Sequence, residues 1–140
     1  MKEYITDANV IFSCLISGKE NYQKLFCEYR FYLPDFALHE IQYYQELILS
    51  KTKLAPEKLK EYTLMLFNNI TVVPNFLIST QSYLQAFQLC KDIDENDIAY
   101  LALSIEFDMT LLTKDEVLAK GLREKGYTKI ITMKEFFEEI

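Results

Sequence analysis

The sequence predicts an α/β fold in which a mostly parallel sheet of about five short strands carries helices on both faces. Three observations lead there. Short apolar runs of strand length alternate along the chain with segments whose apolar residues recur every three or four positions. Only three glycines and three prolines interrupt 140 residues, half of them hydrophobic, so connections are short and core material is ample. Acidic residues also stand close behind two of the runs, where an alternating chain turns from strand into helix.

Taken in order, Tyr4-Ile5-Thr6 reads as a strand, with Asp7 at the turn. Val10, Ile11, Cys14 and Leu15 then predict a helix over 8–17 that Gly18 ends. A second helix, about 20–29, presents Tyr22, Leu25, Phe26 and Tyr29; Phe31-Tyr32-Leu33 before Pro34 is a buried strand. A third helix, 35–50, takes its apolar side from Phe36, Leu38, Ile41, Tyr44, Leu47 and Ile48. Pro56 suits the first position of a fourth, 56–68, with Leu59, Tyr62, Met65 and Leu66 inward. Ile70-Thr71-Val72-Val73 is a β-branched strand, and a fifth helix, 79–91, buries Leu84, Phe87 and Leu89. Asp94 opens an amphipathic helix with Ile98, Leu101, Ala102 and Ile105 on one face and Tyr100, Leu103 and Phe107 on another. The strand Met109–Leu112 follows, then a helix over 116–125 stopped by Gly126, a strand at 129–131 and a closing helix from Met133 anchored by Phe136, Phe137 and Ile140.

Composition removes several classes. A formal charge of −6 excludes a general duplex-coating protein, which would be basic. Cys14, Cys27 and Cys90 are odd in number, widely spaced and set among apolar residues, so they read as buried thiols of a reducing cytoplasm. The N-terminus, Met1 to Asp7, lacks the apolar stretch of a signal peptide, and no run approaches a membrane span. No glycine-rich turn follows the first strand, which excludes a dinucleotide site.

What remains is acidic chemistry. In a parallel sheet, function sits beyond the carboxyl ends of the strands, at a switch in strand order. Asp7 and Asp115 stand past two strand ends. Asp94 and Asp97 begin a helix that runs back across the sheet, which places them at the same edge. Glu40 lies more than one turn into the helix leaving the second strand, too deep to be a cap. A helix cap explains any one of the aspartates, Asp94 above all; convergence of all of them is what a capping account does not supply. Thr113, two residues before Asp115, either caps the next helix or hydrogen-bonds a carboxylate or phosphate.

The motifs Ile5-Thr6-Asp7-Ala8-Asn9-Val10, His39-Glu40-Ile41, Asp97-Ile98-Ala99-Tyr100-Leu101-Ala102-Leu103, Leu112-Thr113-Lys114-Asp115 and Gly126-Tyr127-Thr128-Lys129-Ile130-Ile131-Thr132 together resemble the PIN-domain ribonucleases, which include VapC-type toxins. The resemblance spans almost the whole chain, so residues 1–140 are expected to form one such domain, a three-layer α/β/α fold with strand order 3-2-1-4-5. It implies an acidic quartet of Asp7, Glu40, Asp97 and Asp115, with Asp94 as an accessory acid. It also implies an RNA substrate, products with 5′-phosphate and 3′-hydroxyl ends and, for a toxin, an antitoxin partner. Ala37-Leu38-His39 before Glu40, and Lys114 before Asp115, depart from the family pattern without removing an acid.

A carboxylate set free of His and Cys favours Mg²⁺ or Mn²⁺ over Zn²⁺. Placement suggests Asp7 as the central metal ligand, Asp97 and Asp115 completing the set, and Glu40 orienting or deprotonating the attacking water. Lys51, Lys53, Lys91 and Lys114 are either solvated or placed to contact RNA, His39 is incidental, and Tyr43-Tyr44 either stack on bases or pack. The aromatic residues of the first two helices suggest a homodimer surface, and core packing explains them equally. Rival readings are a silent PIN-like scaffold that binds a protein or RNA partner, a housekeeping RNA-processing nuclease, and a phosphotransfer domain, for which Asp7-Ala8-Asn9 lacks the second acid.

Overall fold

A computed structural model describes residues 2–139, the side chain of Glu139 excepted. Five strands form one sheet, β1 (Glu3–Thr6), β2 (Arg30–Pro34), β3 (Ile70–Val73), β4 (Leu111–Thr113) and β5 (Ile130–Thr132), in the order β3-β2-β1-β4-β5. Every pairing is parallel. The register that matters sets Ile5 opposite Leu111 and Thr6 opposite Leu112, so the ends of β1 and β4 lie side by side. This is the three-layer arrangement expected from the sequence. Strand order reverses at β1, the position where an α/β sheet opens a crevice at its carboxyl edge.

The helices are α1 (Ala8–Ser17), α2 (Glu20–Glu28), α3 (Phe36–Tyr43), α4 (Gln45–Lys51), α5 (Pro56–Asn68), α6 (Thr80–Cys90), α7 (Ile98–Phe107), α8 (Glu116–Glu124) and α9 (Met133–Glu139). Short 3-10 turns, Asn75–Leu77 and Glu95–Asp97, precede α6 and α7. Helices α1 to α5 pack on one another, as do α6 to α8, the two groups that right-handed crossovers would place on opposite faces of the sheet. On the first face an aromatic set is continuous: Phe26 stacks on Phe31, and Tyr4 meets Phe31, Tyr29 and Phe136. The aromatic residues of α1 and α2 therefore turn into the core, with Phe26 fully buried and Phe12 and Tyr22 packed against it. Helix α7 is buried through its middle, at Tyr100, Leu101, Ala102, Leu103 and Ser104.

Five expectations are corrected. The helix predicted over 35–50 is two helices, broken at Tyr44, whose backbone (φ −95°, ψ 15°) leaves the helical region. Its apolar residues do not form a buried side: Ile48 is buried, Ile41 packs against the core, and Phe36, Leu38, Tyr44 and Leu47 are exposed. On α6, Leu84 (59% exposed) and Phe87 (43%) point outward, and the small residues Ser82, Ala86 and Cys90 face inward. They do so because α6 packs closely along α7, where large side chains would hold the helices apart. Cys27 is exposed, unlike Cys14 and Cys90. The strand predicted from Met109 begins two residues later. Asp108 takes a left-handed backbone (φ 51°) and Met109 N–H bonds back to the Ser104 carbonyl, so Met109 belongs to the cap of α7. The anchoring residue Ile140 lies outside the described residues. Among them, no helix is long and apolar enough to cross a membrane.

Candidate active site

At the carboxyl edge of the sheet lies a cavity of about 450 Å³. Asp7, Glu40, Asp94, Asp97 and Asp115 all line it, with Asn9, Asn96, Phe12, Tyr44 and Tyr100. The five acids arrive on four stretches of chain, Asp94 and Asp97 together on one 3-10 turn. Asp7 is the N-cap of α1 and Asp115 the N-cap of α8: Asp7 Oδ1 accepts from Val10 N–H at 3.0 Å, Asp115 Oδ1 from Leu118 N–H at 2.9 Å. Asp94 caps the 3-10 turn before α7 by accepting from Asn96 N–H at 2.9 Å. Asp97 ends that turn, and Glu40 projects from the second turn of α3. The capping account is therefore correct for three of the acids, and it explains their convergence. The adjacent parallel strands β1 and β4 end together and launch α1 and α8, and α7, which runs back toward β4, starts at the same edge, so three N-termini with their unpaired N–H groups crowd one place.

Thr113 couples the two strands. Its hydroxyl donates to Asp7 Oδ2 at 2.6 Å and accepts from Asp115 N–H at 3.0 Å. Both Asp7 oxygens are thus held, and the residue is only 3% exposed. Burial raises the Asp7 pKa from the usual carboxylate range to about 6, against the lowering pull of the Thr113 and Val10 donors. Half-buried Asp97 is pushed further, to about 8, by burial first and then by the charges of Asp94, Asp7 and Asp115. Carboxylates this close resist full ionisation without a countercharge.

One oxygen from each of Asp94, Asp97 and Asp115 lies within 4.8 Å of the others. Asp7 stands outside this trio, although its charge is felt by Asp97. The donor set fits a hard divalent cation: it is all oxygen, and ligands at about 2.0–2.6 Å from one ion are separated by at most about twice that distance. The strained ionisation of Asp97 is what such a cation would relieve.

Tyr100 is the site residue that the sequence reading missed. Its hydroxyl donates to Glu40 Oε1, so α7 fixes the position of a carboxylate carried by α3. Burial, then the Glu40 carboxylate, raise the phenol's pKa, which keeps it a donor. In the sequence Tyr100 looks like any apolar-face aromatic of a buried helix. Its place one turn after Asp97 was the available signal. His39 and the lysines at 51, 53 and 91 do not line the cavity, whereas Tyr44 does.

A family model described as PIN domain matches residues 5–134. Among solved structures, the chain is similar to VapBC2 from Rickettsia felis bound to a DNA fragment from their promoter, with a TM-score of 0.54 and 18% identity over 93% of this chain and 96% of that one. No curated protein matches the chain.

Proposed function

Because this chain belongs to the PIN-domain family, we propose that it is an endoribonuclease dependent on Mg²⁺ or Mn²⁺ and the toxin of a toxin–antitoxin pair. The observation that carries the nuclease reading is the convergence of five carboxylates from four separate stretches of chain on one cavity, three of them with an oxygen within 4.8 Å of one another.

In this reading Asp7, Asp97 and Asp115 hold the cation, and Asp94, closer to the last two than its accessory rank implied, assists. When bound, the ion supplies positive charge to the scissile phosphate and makes water a better nucleophile. The chain's own work is positioning. Thr113 pins Asp7 in one orientation, and the caps of α1 and α8 aim Asp7 and Asp115 inward. Tyr100 holds Glu40 by Oε1, leaving Oε2 as the atom that takes the proton of the attacking water.

The toxin role rests on likeness of fold to a VapBC2 structure solved on promoter DNA. This chain, at −6, is poorly suited to coat DNA, so a partner would supply that contact and also cover the acidic cavity, for which an arginine is the suitable side chain. Exposed Phe76, Leu77, Leu84 and Phe87 on and before α6 offer a surface for a homodimer, which sedimentation would detect.

The test is cleavage of cellular RNA by purified protein. The wild type cuts in Mg²⁺ or Mn²⁺ and stops in EDTA, and Asp7→Asn lowers the rate on the order of a hundredfold or more. A wild type that neither cuts RNA nor is saturably stabilised by Mn²⁺ is the silent scaffold instead.

A further inference from the structure

Beside the acidic cavity lies a second, more open one of about 350 Å³. Asn9, Phe12 and Ile16, one face of α1, wall both, as does Asp115. Ser13 and Lys114 complete the second cavity. Of the residues that line the two, Lys114 is the one cation. Its ammonium donates to Ser13 Oγ at 2.6 Å, and among the described residues it forms no salt bridge, although it adjoins Asp115 in the chain. One of its three N–H donors is thus used to hold the side chain against α1, and two remain for a ligand.

Resting on the nuclease reading, we propose that Lys114, positioned by Ser13, binds the RNA phosphate next to the one that is cut. An RNA strand brings one negative charge per nucleotide to a groove faced by five carboxylates. A divalent ion answers the charge of the scissile linkage alone. The neighbouring linkage needs its own positive group, within a short reach of Asp115 and on the open side of the groove, and Lys114 fills that place. Phe12, in the wall shared by both cavities and edge-on to Tyr44 at 5.4 Å, gives the intervening base an apolar surface. A lysine acts here as a point charge, so the subsite recognises the backbone and carries no base preference.

Single-turnover cleavage of a fluorescent single-stranded RNA that the wild type cuts, measured across RNA and salt concentrations, tests this. Lys114→Ala raises the half-saturating RNA concentration about tenfold, the usual loss for one charged hydrogen-bonding group. It changes the maximal rate less than about twofold and reduces the slope of log affinity against log salt by about 0.7, the value for one single-strand phosphate. Lys114→Arg restores both. A methylphosphonate placed at the linkage adjacent to the cut weakens wild-type binding and leaves Lys114→Ala unaffected. Thermal melting of the variants matches the wild type, since the side chain is exposed. An unchanged half-saturation and salt slope in Lys114→Ala, with cleavage intact, overturns the subsite and spares the nuclease. A wild type that cuts no RNA overturns both.

Discussion

At the scale of the residue, Thr113 is the side chain on which the site's order depends. It is fully buried, donates to Asp7 Oδ2 and accepts from Asp115 N–H, so one hydroxyl ties the first strand's acid to the fourth's. Thr113→Val preserves shape and β-branching while removing the hydroxyl. A buried carboxylate oxygen then has no donor, at a cost of about 1–3 kcal/mol when Asp7 is ionised. Because the Thr113 donor lowers the Asp7 pKa, its loss lets burial push that value above about 6. The expected outcome in a pH–rate profile is an acidic limb displaced to higher pH, with melting at pH 8 reduced more than melting at pH 5. An unshifted limb would mean that Asp7 does not have to be ionised in the rate-determining form.

At the scale of the element, the helix N-termini do two jobs that substitution can separate. Asp115 caps α8 through Leu118 N–H and also lines the acidic cavity. Asn caps as well as Asp, whereas Ala does not. Asp115→Asn should therefore melt close to the wild type and lose Mg²⁺-dependent cleavage. Asp115→Ala should lose the same activity and about 1 kcal/mol of stability besides, measured by urea unfolding. Equal activity in the Asn variant and the wild type would remove Asp115 from the chemistry. This doubling of roles is also why the site was legible in the sequence. Asp7 and Asp115 sit where strand gives way to helix, and Asp94 and Asp97 where one helix gives way to the next; local composition marks such positions. The break at Tyr44 was not legible, since neither Gly nor Pro announces it. The outward turn of Leu84 and Phe87 was hidden too. Periodicity finds an apolar face but does not say whether that face or a small-residue face meets the neighbour, and on α6 the small face won. The Tyr100 to Glu40 bond joins residues 60 apart, beyond what any local pattern encodes.

At the scale of the whole molecule, the fold holds carboxylates in a state they resist. Asp7 and Asp97 have folded pKa values of about 6 and about 8. An unfolded chain would place both near about 3.9. The folded protein therefore binds more protons than the unfolded one across that interval, and stability falls as pH rises. For these two groups the contribution is complete below about pH 4 and is lost as pH climbs through about 6 for Asp7 and about 8 for Asp97. Asp97 is only half-buried, so solvent screening makes its share smaller than the shift suggests. A divalent ion reverses the dependence, because it binds the ionised carboxylates and competes with protons for them. Thermal melting in EDTA should accordingly fall between pH 5 and pH 8, once the titration of other groups is subtracted by means of an Asp7→Asn, Asp97→Asn double variant. The increment in melting temperature given by a fixed Mn²⁺ concentration should grow over the same interval, and the double variant should show neither trend. A metal-free protein that became more stable toward pH 8, or a Mn²⁺ increment as large at pH 5 as at pH 8, would mean that the acids at the end of β1 and the start of α7 do not form one anionic site.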